Sequence, residues 1–192
     1  RTARRLGAAA RETLDPHREY REAKADCDDS PTVRNQSRLA AAAAELGRHE
    51  EAERLYAAAA QGVHVDDPTL NLGRAKALLD LGRAAEALPI LDRLQADPDQ
   101  GRAGALALAR ARALEAAGRL GEAEQAYRAA VESVPGFEAL GRQGAFLARS
   151  GRTAEARDLL ADLDRRIART SPQFRREARH WRDLIAEALG RA

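Results

Sequence analysis

The chain of 192 residues has few of the side chains that mark secreted, membrane or β-sheet proteins. Its single cysteine, Cys27, cannot form a disulfide within the chain, so nothing points to an oxidising compartment. Aromatic residues make up 4% and hydrophobic residues 44% of the composition, so the core must be built from alanine and leucine. No apolar run reaches the roughly 18 residues of a membrane span, and no strand-like alternation of Val, Ile and Thr occurs. We therefore expect an all-α protein.

The sequence also lacks the motifs of catalysis and of metal or cofactor binding. His49-Glu50-Glu51 has no second histidine one turn later, which a zinc-binding HExxH motif needs. Cys27 has no CxxC partner and no neighbouring histidine, and the chain contains no glycine-rich phosphate loop. We therefore expect no enzyme activity, no cofactor and no bound metal.

What the chain has in quantity is one hexamer, Gly-Arg-x-x-Glu-Ala, whose four copies begin at Gly47, Gly82, Gly118 and Gly151. The intervals of 35, 36 and 33 residues between these glycines are typical of stacked helix pairs. Glycine readily takes the left-handed conformation that ends a helix, and a glutamate in the opening turn of the next helix faces the positive end of its dipole. The hexamer therefore predicts four helix-turn-helix corners.

Small and large residues recur around these corners in one register. Seven residues before each corner glycine lie Ala40, Ala75, Ala111 and Gly144, and nine residues after it lie Tyr56, Leu91, Tyr127 and Leu160. This alternation predicts small-against-large packing between paired helices. In its corner glycines and in these small and large positions, the sequence resembles the tetratricopeptide repeat family over residues 33–170.

The resemblance implies a right-handed α-solenoid of helix-turn-helix repeats that binds other proteins and carries no catalytic residues. We expect four repeats at about 33–67, 68–103, 104–136 and 137–170. A leading helical segment is expected over 1–32, and a carboxy-terminal capping helix over 171–192. The capping helix is expected because the end of a solenoid must be covered.

The two ends of the chain carry local helix signals. One short helix is predicted before Asp15-Pro16, and that dipeptide is predicted to start a second helix, as Ser30-Pro31 is predicted to start the next. At the other end, Phe174, Ala178, Trp181 and Ile185 form an apolar stripe predicted to cover the last repeat.

The resemblance also implies a concave groove lined by the first helix of each repeat. Its candidate peptide-binding residues are Arg34, Arg38, Leu72, Lys76, Leu108, Arg112, Arg142 and Arg149. Basic side chains predominate in this set, and the two leucines supply apolar contact. We therefore expect the partner to be a protein or peptide with an extended or helical segment that carries carboxylates.

A second candidate surface is the basic end, which consists of Arg165, Arg166, Arg169, Arg175, Arg176, Arg179 and Arg182. Glu177 is the single acid within this span, so its charge is +6, seven positive less one negative. Such a surface suits lipid headgroups, nucleic-acid phosphates or an acidic protein. An adaptor that docks on phosphate groups is therefore one alternative function, and a self-associating structural subunit is another. Nucleic acid is the less favoured ligand, because the formal net charge of the chain is only +2.

The first residues, Arg-Thr-Ala-Arg-Arg, and the absence of methionine bear on the location of the protein. Positive charge of this kind flanks membrane segments on their cytoplasmic side. The sequence is also similar to bacterial repeat proteins that carry an amino-terminal membrane anchor. We expect a bacterial cytoplasmic protein, with tethering to the inner face of the membrane and an arbitrary boundary at Arg1 as open alternatives.

Overall fold

Ten α-helices account for most of the residues that the computed structural model describes, 15–96 and 103–191, and no strand occurs among them. In chain order the helices are α1 (Pro16–Asp29), α2 (Val33–Glu45), α3 (His49–Ala59), α4 (Pro68–Asp80), α5 (Ala84–Ala96), α6 (Ala103–Ala116), α7 (Leu120–Ser133), α8 (Glu138–Arg149), α9 (Thr153–Arg169) and α10 (Arg175–Arg191). Single turns of 3-10 helix lie at Gly62–His64 and Pro172–Phe174. The predicted all-α class is confirmed. The short helix predicted before Asp15 lies outside the described residues.

The chain forms two compact units, which divide after Ala96. The first unit contains α1 to α5, and the second contains α6 to α10. Within each unit every helix packs against the next in chain order, and α2 also contacts α4 while α8 also contacts α10. This pattern of neighbouring pairs is that of helical repeats, in which each pair buries the face that it cannot bury alone.

The four corners have the geometry that the hexamer predicts. Their glycines, at positions 47, 82, 118 and 151, have φ angles of 72–78°, a conformation that costs other residues about 1–2 kcal/mol. The N–H of the arginine after each glycine donates to the carbonyl five residues earlier, at 2.8–2.9 Å, and so closes the preceding helix. The alanine that ends each hexamer is fully buried.

The corner arginines also pair with the glutamates of their own hexamers. The N···O distances are 2.7 Å for Arg83 with Glu86, 2.6 Å for Arg119 with Glu122 and 2.5 Å for Arg152 with Glu155. The first corner is looser, at 3.6 Å between Arg48 and Glu51, because Arg48 also donates to the Tyr20 hydroxyl at 2.9 Å. Such exposed pairs contribute only about 0.2–0.5 kcal/mol each, so the corner is defined mainly by its backbone.

The predicted helix start at Asp15-Pro16 is confirmed, and Asp67-Pro68 forms a start of the same kind. Asp15 accepts a hydrogen bond from the His17 N–H, and Asp67 accepts from the two N–H groups after Pro68. The predicted cap at Ser30 was wrong, because the Ser30 N–H still bonds back to α1 and ends that helix. Thr32 caps α2 instead and accepts from the Asn35 N–H at 3.2 Å.

The carboxy-terminal helix α10 packs its apolar stripe against α8. Ala178 and Ile185 are fully buried, and Trp181 is half-buried. The stripe does not extend to Phe174, so the prediction that Phe174 is part of the cap was wrong. Phe174 belongs to the separate 3-10 turn, which has a different phase from the α-helix, and it is 52% exposed. No helix in the described ranges is both long and apolar enough to cross a bilayer.

Candidate interaction surfaces

In the first unit, the candidate groove residues lie on α2 and α4, the first helices of their pairs, and we refer to them as the first-helix face. Arg34 is exposed at the start of α2, and Lys76 is exposed on α4. Leu72, one turn before Lys76, is 7% exposed. Within the described ranges, no carboxylate pairs with Arg34 or Lys76. This face therefore presents two cations to solvent beside buried apolar packing.

The third cation of the first unit, Arg38, is bound by an acidic helix of the same chain. Its Nε donates to Glu19 Oε1 at 2.7 Å, and its Nη1 donates to Asp26 Oδ2 at 2.6 Å. Glu22 Oε2 lies 3.8 Å from Nη2. The hydrogen bond from Arg38 holds the pKa of Glu19 below its ordinary value. Thus α1 presents carboxylates one and two turns apart to a single guanidinium on α2.

In the second unit, the candidate arginines on α8 make contacts that hold the helices together. Arg142 pairs with Glu138 at 2.8 Å, and its guanidinium carbon lies 4.9 Å from the centroid of the Trp181 ring. Arg149 pairs with Glu115 at 2.7 Å, and the second oxygen of Glu115 accepts from the Tyr127 hydroxyl, also at 2.7 Å. These contacts join α8 to α10, α6 and α7.

The two remaining groove candidates, Leu108 and Arg112, both lie on α6. Leu108 is 6% exposed, so it is a core residue in the second unit. Arg112 is half-buried and interacts with its own chain. Of the candidate set, Arg34 and Lys76 are therefore the cations most available to a partner.

Three of the arginines in the basic end are neutralised by acids that lie just outside it. Arg165 and Arg166 both pair with Asp162, at 3.1 and 2.6 Å. Arg182 pairs with Asp164 at 3.1 Å and with Asp183 at 3.2 Å. The charge of +6 counted between the first and last arginine therefore overstates the local field.

The other four arginines surround the turn between α9 and α10. Arg175 donates from Nε to the Thr170 carbonyl at 2.9 Å and braces this turn. Arg169, Arg176 and Arg179 are exposed, and none of them pairs with an acid in the part of the chain that the structure describes. We call these four arginines, together with Phe174, the basic corner.

A family model described as "Tetratricopeptide repeat" matches residues 37–101 and 108–172 of the chain. These two ranges cover most of the sequence and contain all four corners. The chain belongs to the tetratricopeptide repeat family. Repeats of this family are in general protein-interaction modules without catalytic residues.

Solved structures share the fold. The chain is similar to "MamA 41-end from Desulfovibrio magneticus RS-1", with a TM-score of 0.61 and 16% identity over 83% of this chain and 89% of that one. It is similar in the same way to "MamA RS-1 ArsTM double mutant", with a TM-score of 0.59 and 16% identity over 82% of this chain and 88% of that one. At this identity the likeness extends to the fold alone. None of the curated protein sequences matches the chain.

Several polar contacts between repeats were missed by the sequence interpretation. Glu53 is 8% exposed on α3, and it accepts from Arg74 of α4 at 2.8 Å. On the other side of α3, both carboxylate oxygens of Glu51 accept from the Tyr20 hydroxyl of α1, at 2.8 and 3.0 Å. The Glu115–Arg149 pair had a detectable signal, because its separation of 34 residues is one repeat period. For the contact of Glu53, the sequence gives no signal beyond the position of this residue on the inward face of an amphipathic helix.

The titratable side chains considered for catalysis or metal binding do not converge. In the described ranges, no group of three or more His, Cys, Asp or Glu side chains is arranged to hold a metal ion. Cys27 is buried in α1. His49 lies with Nδ1 3.7 Å from Asp80 Oδ2, and this buried nitrogen has no hydrogen-bond partner in the part of the chain that the structure describes.

Proposed function

We propose that this tetratricopeptide repeat protein is a non-catalytic scaffold that binds an acidic, extended or helical segment of a partner protein on the first-helix face of its first unit. The observation that carries the proposal is the pair of exposed cations, Arg34 and Lys76, that find no carboxylate among the described residues. In the rest of the candidate set, Arg38, Arg142 and Arg149 already have acidic partners in the chain.

The contact between α1 and α2 supports an acidic helix as the kind of segment that this face takes. Glu19, Glu22 and Asp26 are spaced at three and four residues, so they lie along one side of α1. All three approach Arg38, which lies one turn beyond Arg34 on α2. A partner helix with the same spacing of carboxylates would present acids to Arg34 and Lys76 in the same manner.

Pre-organisation favours such binding. Both α2 and α4 are held by their neighbours in the repeat stack, so little backbone has to be ordered when a segment docks. Leu72 and its buried neighbours fix the helix that carries Lys76. The conformational entropy lost on association is then mainly that of the partner.

Reversal of the two free charges is the test. We expect the double variant Arg34→Glu, Lys76→Glu to lose about tenfold in affinity for the acidic partner, because two attractive contacts of up to about 1 kcal/mol each become repulsive. The measurement is affinity capture from lysate with the unchanged chain and with the double variant. A synthetic acidic helix that corresponds to the captured partner is then titrated into each of them. Neither side chain pairs with an acid among the described residues, so equal helicity by circular dichroism is expected.

A matched control carries the same change of charge elsewhere in the first unit. Arg54 and Arg93 are exposed on α3 and α5, the second helices of their pairs. The variant Arg54→Glu, Arg93→Glu should keep the partner. Equal loss from both variants would point to general charge attraction, and retention by both would show that the first-helix face is not the site.

A further inference from the structure

We propose that the basic corner of the second unit docks on the surface of an anionic phospholipid bilayer, with its arginines at the lipid phosphates and Phe174 at the level of the headgroups. This inference goes beyond the proposed binding of a protein segment and involves none of the same residues. It rests on the position of the corner, on its uncompensated charge and on its exposed aromatic ring.

The corner is a distinct region because an ion pair marks its boundary. Arg182 of α10 and Asp164 of α9 lie 3.1 Å apart and link the two helices. From this link to the turn, α9 runs about 8 Å and α10 about 11 Å, at 1.5 Å per residue. Within the corner residues 169–179, Glu177 is the only acid against four arginines, so the charge is +3, four positive less one negative.

Helix stability accounts for Arg169, which lies in the last turn of α9, but not for the three arginines at the start of α10. Arg175 and Arg176 lie in the first turn of α10, and Arg179 lies in the next. Cations at the beginning of a helix oppose its dipole, and the effect is unfavourable by a few tenths of a kcal/mol each. Except for the Arg175 bond to the Thr170 carbonyl, the structure gives them no compensating contact in the described ranges. The positive charge is therefore available to a ligand.

Phe174 is what favours a bilayer over the other anionic partners. Its side chain is 52% exposed in the turn that joins α9 to α10, and its neighbours Pro172 and Gln173 are exposed as well. A turn between two helix ends protrudes, so it can enter a soft surface without a complementary pocket. One aromatic residue beside several arginines is a common arrangement at membrane interfaces.

Nucleic acid would require a different arrangement. Proteins that bind single strands offer a series of rings on which successive bases stack. The second aromatic residue near the corner, Trp181, is half-buried beneath Arg142 and has His180 4.7 Å away, edge to face. Its ring is therefore not available as a second stacking platform. Binding to an oligonucleotide is an outcome that the test must distinguish.

The test is co-sedimentation of the purified chain with vesicles of phosphatidylcholine alone and of phosphatidylcholine mixed equally with phosphatidylglycerol. We expect binding to the mixed vesicles only, and we expect it to weaken as salt screens the charges. The variant Arg169→Gln, Arg176→Gln, Arg179→Gln should lose about a hundredfold in affinity, at about fivefold for each arginine near an anionic surface. Phe174→Ser should lose about tenfold by removing the apolar contact.

The control removes three exposed arginines that lie outside the corner, in Arg21→Gln, Arg54→Gln, Arg157→Gln. This variant has the same net charge as the corner variant and should bind the mixed vesicles nearly as the unchanged chain does. The proposal is overturned if the unchanged chain does not bind the mixed vesicles, or if the two triple variants lose affinity equally. It is also overturned if a single-stranded oligonucleotide binds as tightly as the vesicles and Phe174→Ser changes neither affinity.

Discussion

Replacing Gly141 by valine is expected to destabilise the second unit by about 3 kcal/mol, the upper end of the usual cost of overpacking. A Cβ at this position of α8 would lie 2.7 Å from Trp181 Cβ and 2.9 Å from the Trp181 carbonyl oxygen. Backbone atoms of α10 cannot rotate away as a side chain can, so the two helices must separate. Gly144 faces a side chain instead of backbone, with its added Cβ 2.8 Å from Ile185 Cγ1.

The measurement is thermal or urea unfolding followed by the fluorescence of Trp181, the single tryptophan of the chain. A loss of 3 kcal/mol corresponds to a fall of roughly 6–12 °C in Tm for a protein of this size. The control is Gly121→Val, because Gly121 is exposed in the first turn of α7 and an added Cβ meets nothing within 4 Å. A similar fall in Tm for both variants would mean that close approach of α8 and α10 does not limit stability.

Close packing of helices requires a small residue seven positions before each corner glycine, and this requirement made the residue predictable from the sequence. The pattern of Ala40, Ala75, Ala111 and Gly144 repeats once per helix pair, and all four positions are buried. The corners were equally accessible to prediction, since every group that forms one lies within ten consecutive residues. Local chemistry repeated at a fixed period was therefore sufficient for the fold class.

The contacts of Arg38 were not accessible in the same way. Arg38 meets acids 19 and 12 residues away, and neither separation corresponds to the repeat period. The family pattern indicates which helix carries a residue, but it does not indicate whether an acid from another helix reaches it. A basic side chain on a first helix therefore remains a candidate until its intramolecular partners are known.

Phe174 shows a different limit, that of helical phase. Its spacing of four residues from Ala178 fits the stripe only if one α-helix continues through both. Pro172 starts a 3-10 turn and α10 begins only at Arg175, so the phase changes between the two residues. The sequence shows Pro172, but it does not show that the turn extends to Phe174. This extension leaves the Phe174 ring exposed.

Alkaline conditions are expected to destabilise the protein through its tyrosines. The chain has three, and burial is the main cause that raises the pKa of each above its ordinary value of 10.0. Carboxylates add to the effect, with Glu51 acting on Tyr20, Glu45 on Tyr56 and Glu115 on Tyr127. In the unfolded chain the phenols lose their protons from about pH 10. The folded chain keeps them to higher pH.

The sign follows from proton binding. Above pH 10 the unfolded state binds fewer protons than the folded state, so the free energy of unfolding falls as pH rises. This stability is fully present below pH 10 and is lost as the pH rises towards the folded pKa values. Three phenols that stay protonated in the folded state would together remove up to about 3 kcal/mol between pH 10 and pH 11. Few other groups interfere, because the chain has only two lysines, Lys24 and Lys76, and arginine does not titrate in this range.

The measurement is the urea midpoint from pH 8 to pH 11 at constant ionic strength, with phenolate absorbance recorded in the same samples. In Tyr127→Phe the decline should be smaller by at least one third, because Tyr127 is one of three linked phenols and its pKa is raised the most. The ion pair of Glu115 with Arg149 remains in that variant, so the contact between α6 and α8 is kept. If phenolate absorbance rises near pH 10 while the protein is still folded, the tyrosines are accessible to solvent and the linkage fails. A pH-independent midpoint would contradict it as well, since buried phenols that cannot ionise must make the unfolded state more favourable as pH rises.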